Sequence, residues 1–263
     1  MDTTYKTLAW DFRPPIVSIT QNRPRVSNRV NLLMAMELRH LFQHLHEDEC
    51  GARVAIITGR GRAFSVGREP ISFGKGASRS HTSSEWLELH RAASTLAGAG
   101  MPVIAALNGD AIDHGLELAL ACDLRISARG VALGSTDLSQ GIVPWDGGTQ
   151  RLPRLVGKTL ALEMLLTVRL LDAEEAHRVG LVNAVVEPDA LARSSEKMAL
   201  EIASGAPIAT RYARETVLKG MDMTLEQGLR LEADLSILLQ STADRAEGLR
   251  SFLERREPEF RGE

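Results

Sequence analysis

Through the first two thirds of the chain, short apolar strings bounded by turn residues alternate with longer segments whose apolar positions recur at helical spacing. PIVSIT (15–20), RVAIIT (53–58), PVIAAL (102–107), LRIS (124–127) and VNAVVE (182–187) read as buried strands. NLLMAMELRHLFQHL (31–45) and SSEWLELHRAASTLA (83–97) read as amphipathic helices between them. Strand, helix, strand repetition predicts parallel pairing with right-handed crossovers. After about Ala190 the pattern changes. RSSEKMALEIAS, IATRYARETVLKG, LEQGLRLEADLSILLQ and DRAEGLRSFLERR all read as helices, which divides the chain into an α/β core at 1–190 and a helical region at 191–263. Four helices with apolar stripes do not bury themselves unaided, so packing on a neighbouring subunit is expected.

Composition narrows the function classes. The 263 residues are 44% hydrophobic and 25% charged, the balance of an ordinary globular protein. A formal net charge of -3, with basic residues dense only in FLERREPEF, gives no reason to expect nucleic acid. Cys50 and Cys122 are too few for a disulfide framework and are expected as reduced thiols. MDTTYKTLAWDF lacks a basic head followed by an apolar run, and the apolar stretch around LALACDL is interrupted by Glu117 and Asp123, short of the ~18 residues a membrane span needs. The expected location is cytoplasmic.

Three motifs invite chemistry. In ITGRGRAFSVGREP (57–70), Gly59 and Gly61 follow a strand, but Phe64 stands where a dinucleotide fingerprint needs its third glycine. What remains is a tight turn that lets backbone N–H groups approach a ligand. His40 and His44 have the i, i+4 spacing of zinc ligands, with His46 nearby; no HExxH accompanies them, and LRHLFQHLHEDE reads as a solvated face, so no metal is expected. His81, His90 and His177 carry no motif. NGDAIDHGLEL (108–118) is the most informative: Asn108, Gly109 and Gly115 punctuate the exit from a strand and the entry to a helix, where N–H groups and partial positive charge gather. Glu117 falls in the first turn of that otherwise apolar helix. It reads either as a charge favourable to the helix dipole or as a buried acid–base carboxylate.

Taken together, GRGRAFSVG, PVIAALNGDAIDHGLELALACDLRI, GIVPWDGGTQRLPRLVGKTLALEMLLT, AEEAHRVGLVNAVV and FLERREPEF resemble the enoyl-CoA hydratase/isomerase, or crotonase, family, in collinear order over nearly the whole chain. The resemblance implies an α/β, ClpP-like core of repeated β-β-α units, a helical C-terminal region that forms trimers or dimers of trimers, and an acyl-CoA thioester as substrate. No separate cofactor is implied, coenzyme A being part of the substrate. Residue by residue, it implies that the N–H groups of Arg68 and His114 bind the enolate oxygen. Glu117 and Asp137 correspond to the two hydratase carboxylates. Arg25 and Val26 in NRPRVSN, Ser65, Gly67 and Arg68 in AFSVGRE, Trp145, and Phe252 and Arg255 near the C-terminus correspond to coenzyme A and substrate contacts.

The departures carry information too. Asp137 stands where the family usually has Glu, and a carboxylate set back by about 1.5 Å, one C–C bond length, shifts the position of a proton. His114 replaces a glycine and brings an imidazole to the reacting atoms. Asp146, in GIVPWDGG, is the expected partner of that imidazole, a pairing similar to that of 6-oxocamphor hydrolase, a relative that cleaves cyclic β-diketones. The bland reading is that His114 and Asp146 only shape a pocket, which Trp145 narrows. Three functions stay open: a hydratase for a bulky or cyclic 2-enoyl-CoA, a carbon–carbon hydrolase using His114 and Asp146, and a non-catalytic acyl-CoA binder.

Overall fold

The computed structural model describes residues 4–47, 51–70 and 83–263. In chain order the elements are β1 (Leu8–Arg13), β2 (Ile16–Gln21), α1 (Leu32–Glu47), β3 (Val54–Gly59), β4 (Ala63–Val66), α2 (Ser83–Leu89), α3 (Ala92–Ala97), β5 (Val103–Leu107), β6 (Asp110–Ile112) and α4 (His114–Ala121). There follow β7 (Leu124–Ala128), β8 (Ala132–Gly134), α5 (Gly148–Val156), α6 (Lys158–Leu166), β9 (Leu171–Asp172), α7 (Ala173–Arg178), β10 (Ala184–Val186), α8 (Leu191–Ala203), α9 (Pro207–Gly220), α10 (Leu225–Leu239) and α11 (Ala243–Glu254).

Two sheets organise the core. The larger runs β1-β2-β3-β5-β7-β10, all parallel from β2 onward, with β1 antiparallel at the edge. The smaller runs β4-β6-β8-β9. Three times in succession, β3 to β4, β5 to β6 and β7 to β8, one strand in the large sheet is followed by a short strand in the small one, so the β-β-α repeat is present. Every residue of β5 is buried, and α8 packs across β2, β3, β5 and β7. Such two-sided burial is why the parallel strands read as unbroken apolar strings.

The β-β turns stack on one another. The Asn108 side chain accepts from the Gly59 N–H (2.9 Å) and donates to the Gly61 carbonyl (3.0 Å), tying the second turn to the first. At Gly109 a Cβ would lie 1.8 Å from the Arg62 carbonyl oxygen, so only glycine lets the turns approach.

The five predicted strands and the helix at 31–45 are found within a few residues of their expected limits. β1 and the small sheet escape the pattern, the latter because strands of two to four residues carry too few positions to show a period. The helix expected at 83–97 is two, broken at His90 and Arg91. Helices α8–α11 lie between residues 191 and 254, and α8 covers the large sheet and so serves the core. The apolar faces of the later helices stand open: Leu225 is 80% and Phe252 78% exposed. Among the described residues no helix is long and apolar enough to cross a membrane.

Candidate active site

Two backbone N–H groups are set by local geometry. The Gly67 carbonyl accepts from Val30 N (3.1 Å), and a planar trans peptide places the following N–H on the opposite side, so the Arg68 N–H points away from that ladder. Gly67, at φ +80°, makes the turn possible. At the start of α4, the Asp113 carbonyl accepts from Glu117 N (3.1 Å), which directs the His114 N–H backward out of the helix N-terminus. Gly115 permits the close contact of α4 with β4, since a Cβ there would sit 1.8 Å from the Ser65 carbonyl oxygen.

Around these donors the structure gathers His114, Glu117, Asp137 and Asp146, all buried, at 1%, 1%, 5% and 2% exposure. Glu117 is fully engaged. Its Oε1 accepts from Asp146 N (2.8 Å) and Gly148 N (2.9 Å), and its Oε2 lies 2.7 Å from His114 Nδ1. Burial pushes the Glu117 carboxyl up, but the His114 hydrogen bond and charge, with the two backbone donors, outweigh it and hold the group below the usual carboxylate range. Gly148 is needed for this contact: a Cβ would meet Pro144 Cβ at 2.7 Å and Glu117 Oε1 at 3.1 Å.

The expected His114–Asp146 pairing is present as an ion pair and not as a hydrogen bond. His114 Nε2 lies 3.8 Å from Asp146 Oδ2, beyond hydrogen-bond reach, and it is Glu117 that orients the ring. The Asp146 carboxylate is taken by the start of α3, accepting from Ala93 N (2.7 Å), Ser94 N (3.1 Å) and Ser94 Oγ (2.5 Å). Burial, only partly offset by His114 and these donors, leaves its carboxyl above the ordinary value. His114 Nε2 is buried without a hydrogen-bond partner.

Asp137 opens the short helical turn after β8. Burial, then the nearby Asp113 charge, pushes its carboxyl up to about 6, against the Arg68 guanidinium, which acts the other way. Arg68 stacks its guanidinium over Trp145, 4.2 Å from the ring centroid, and the His114 ring lies 5.9 Å from the same indole at 28°. Burial draws the Arg68 pKa down, resisted by Glu117, Asp137, Asp146 and Asp113.

The remaining expected contacts lie on surrounding elements. The Ser65 hydroxyl donates to the Asn28 carbonyl (2.9 Å). Arg25 and Val26 lie exposed on the turn Pro24–Val26, and Phe252 and Arg255 lie exposed on α11 and its C-terminal cap. Of the other histidines, His40 bonds the Tyr5 hydroxyl (2.8 Å) and stacks on His44, while His177 faces the Val182 carbonyl (3.1 Å). Cys122 is buried and free; Cys50 and His81 lie outside the described residues. Asp113, Ser94 and Gly148 have no counterpart among the expected site residues. Of these, Asp113 lies in NGDAIDHGLEL, where it had no assigned role.

Comparison with known proteins agrees with this geometry. Residues 11–263 match the family model described as enoyl-CoA hydratase/isomerase. The chain is 33% identical to a crotonyl-CoA hydratase of Syntrophomonas wolfei, covering 97% of this chain and 98% of that one. It is 37% identical to an (E)-benzylidenesuccinyl-CoA hydratase of Thauera aromatica, covering 94% and 96%. The crystal structure of an enoyl-CoA hydratase from Bacillus anthracis superposes with a TM-score of 0.89 at 36% identity, covering 98% of this chain and all of that one, at 100%. With a matching fold, two outward backbone donors and two buried carboxylates, the chain belongs to the enoyl-CoA hydratase/isomerase, or crotonase, family and is a hydro-lyase of that family.

Proposed function

We propose that this protein adds water across the conjugated double bond of a 2-enoyl-CoA whose acyl group carries a bulky or ring substituent. The observation that carries the reading is the pair of outward N–H groups at Arg68 and His114, flanked by two carboxylates whose surroundings push their proton affinities apart. The thioester oxygen accepts from both N–H groups. Glu117, ionised, takes a proton from water as the water oxygen bonds to the β-carbon. The electron pair of the double bond moves toward the thioester as an enolate, and Asp137, in its protonated form, delivers a proton to the α-carbon. Water is consumed whole, and exchange with solvent returns the proton from Glu117 to Asp137.

Flat groups beside the site support this substrate class. Trp145, with Arg68 and His114 stacked against it, forms a cluster of planar groups against which a ring conjugated to the enoyl group packs. The relative in Thauera aromatica, named for benzylidenesuccinyl-CoA, supports an aromatic acyl group. Arg25, Val26, Phe252 and Arg255 take the coenzyme A moiety, and the open apolar faces of α9–α11 pack a homotrimer or a dimer of trimers, which light scattering would measure.

The test is a panel of 2-enoyl-CoA thioesters followed by loss of enoyl absorbance. A kcat/KM for an aryl-substituted enoyl-CoA at least tenfold above that for crotonyl-CoA is expected; equal or reversed preference overturns the ring assignment, and near wild-type turnover by Glu117→Gln overturns the mechanism. A second reading, carbon–carbon hydrolysis of a cyclic β-diketone, rests on His114 Nε2, which lacks a hydrogen-bond partner, on a ring oriented by Glu117. A ring-opened product would establish it. A purely binding role gains nothing from two buried carboxylates facing an apolar chain.

A further inference from the structure

Asp113 takes no part in the reaction as written, yet it contacts the Asp137 loop, the start of α4 and Gly67. It is the single residue between β6 and α4, at φ +53° and ψ -120°, a backbone conformation that a non-glycine residue holds only when its surroundings enforce it. The enforcing contacts are on the loop that carries Asp137. The Asp113 carboxylate accepts from Thr136 N (2.5 Å) and Thr136 Oγ1 (3.1 Å to each oxygen), and its own N–H donates to the Gly134 carbonyl (2.9 Å). Its carbonyl accepts from Glu117 N, and its carboxylate lies against Gly67, where a Cβ would stand 3.5 Å from Oδ2.

One hydroxyl links the two aspartates. Ser135 Oγ lies 3.4 Å from Asp113 Oδ1 and 3.4 Å from Asp137 Oδ2, and has a single proton to donate. The charges facing Asp137 are Asp113 before α4, Glu117 on α4 and Arg68 after β4, with His114 and Asp146 beyond them against Glu117 and Arg68. Two carboxylates so close favour leaving a proton on one of them.

We propose that Asp113 is a positioning residue of the hydration: it clamps the Asp137 loop onto the entrance of α4, and its carboxylate charge keeps the α-carbon proton on Asp137. The inference rests on the reading of Asp137 as proton donor. The displacement of the Asp137 carboxyl to about 6, with Asp113 the strongest neighbouring charge, agrees with it.

The test is the pH profile of kcat/KM for Asp113→Asn, which keeps the shape and an acceptor but removes the charge, alongside Asp113→Ser in case the first fails to fold. The alkaline limb is expected to move to lower pH by on the order of one unit, the size of a like-charge effect at close range. A merely structural clamp would lower the rate at all pH values and leave the limb in place. The carboxyl 13C titration of Asp137, identified by its loss in Asp137→Asn, reads the same shift without turnover. An unmoved limb and titration in a folded charge-removing variant, with Asp137→Asn inactive, overturns the role of Asp113 alone; an Asp137→Asn variant with full turnover overturns the proton-donor reading beneath it.

Discussion

Glu117 and Asp137 are the same functional group in two neighbouring regions of one site, and the regions treat it in opposite ways. At the entrance of α4, Glu117 receives two backbone N–H groups and an imidazole, so its charge is solvated by fixed dipoles. After β8, the Asp137 carboxylate has, among the described residues, one long hydrogen bond from Ser135 Oγ (3.4 Å) and faces Asp113, so burial and like charge outweigh the Arg68 guanidinium. The difference shows that burial does not by itself decide the proton affinity of a carboxylate. Burial is weighed against the hydrogen bonds and charges aimed at the group: at Glu117 they outweigh it, and at Asp137 and Asp146 they do not.

The strongest way to break the comparison is to remove the base. Glu117→Gln is expected to lower kcat by ~10³–10⁴, the upper range for a general base, measured on the best thioester of the panel; a loss below tenfold would mean the donors around Glu117 serve structure only. Asp137→Asn is expected to cost ~10²–10³ in kcat, read in the same assay. A smaller effect sharpens the contrast. His114→Ala takes away the hydrogen bond and charge that offset burial of Glu117, so the Glu117 pKa rises and the acid limb of kcat/KM moves to higher pH, with kcat reduced about tenfold. An acid limb that stays in place would show that Asp146 N and Gly148 N suffice.

The smallest expected effect is on stability. The Asp137 carboxyl at about 6 lies above its ordinary 3.8, so the folded protein binds that proton more tightly than the unfolded chain. Stability from this group is greatest below the unfolded value, declines as pH rises between the two, and is fully lost above about 6. Asp137→Asn is therefore expected to stabilise the fold above that pH by roughly 1 kcal/mol after allowance for solvent screening, and not at all below pH ~4. Denaturant titrations at pH 4 and pH 8 would check both the sign and its pH dependence.

Legibility varied with element length. Strands of five or six residues buried on both faces, and helices of twelve or more with one apolar stripe, announced themselves. β6 and β8, three residues each and containing Asp110 and Gly134, did not, although they carry the site to its place. Within the site, Glu117 and Asp137 were readable through family resemblance, and Trp145 as a neighbour. The hydrogen bonds that hold Asp146 were missed because its contact with α3 spans 52 and 53 residues of sequence. No spacing rule reaches that far.

What the sequence by itself determined is what depends on neighbours in the chain: the alternating strands and helices, the helical stretch after residue 190, the glycines that turn Gly67 and Gly115 toward close contacts, and the carboxylate in the first turn of α4. The tertiary structure decided which oxygen meets which hydrogen. One contact is local and belongs with the sequence: His114 meets Glu117 because α4 begins at His114 and brings residues three apart onto one face. Asp146 fell to α3, and Asp113 to Thr136, because separate β-β-α units stack and bring distant segments within hydrogen-bond range. Hydrogen bonds and charge interactions act over a few ångströms in space, whatever the separation along the chain. The acid–base assignment of this site therefore rests on packing.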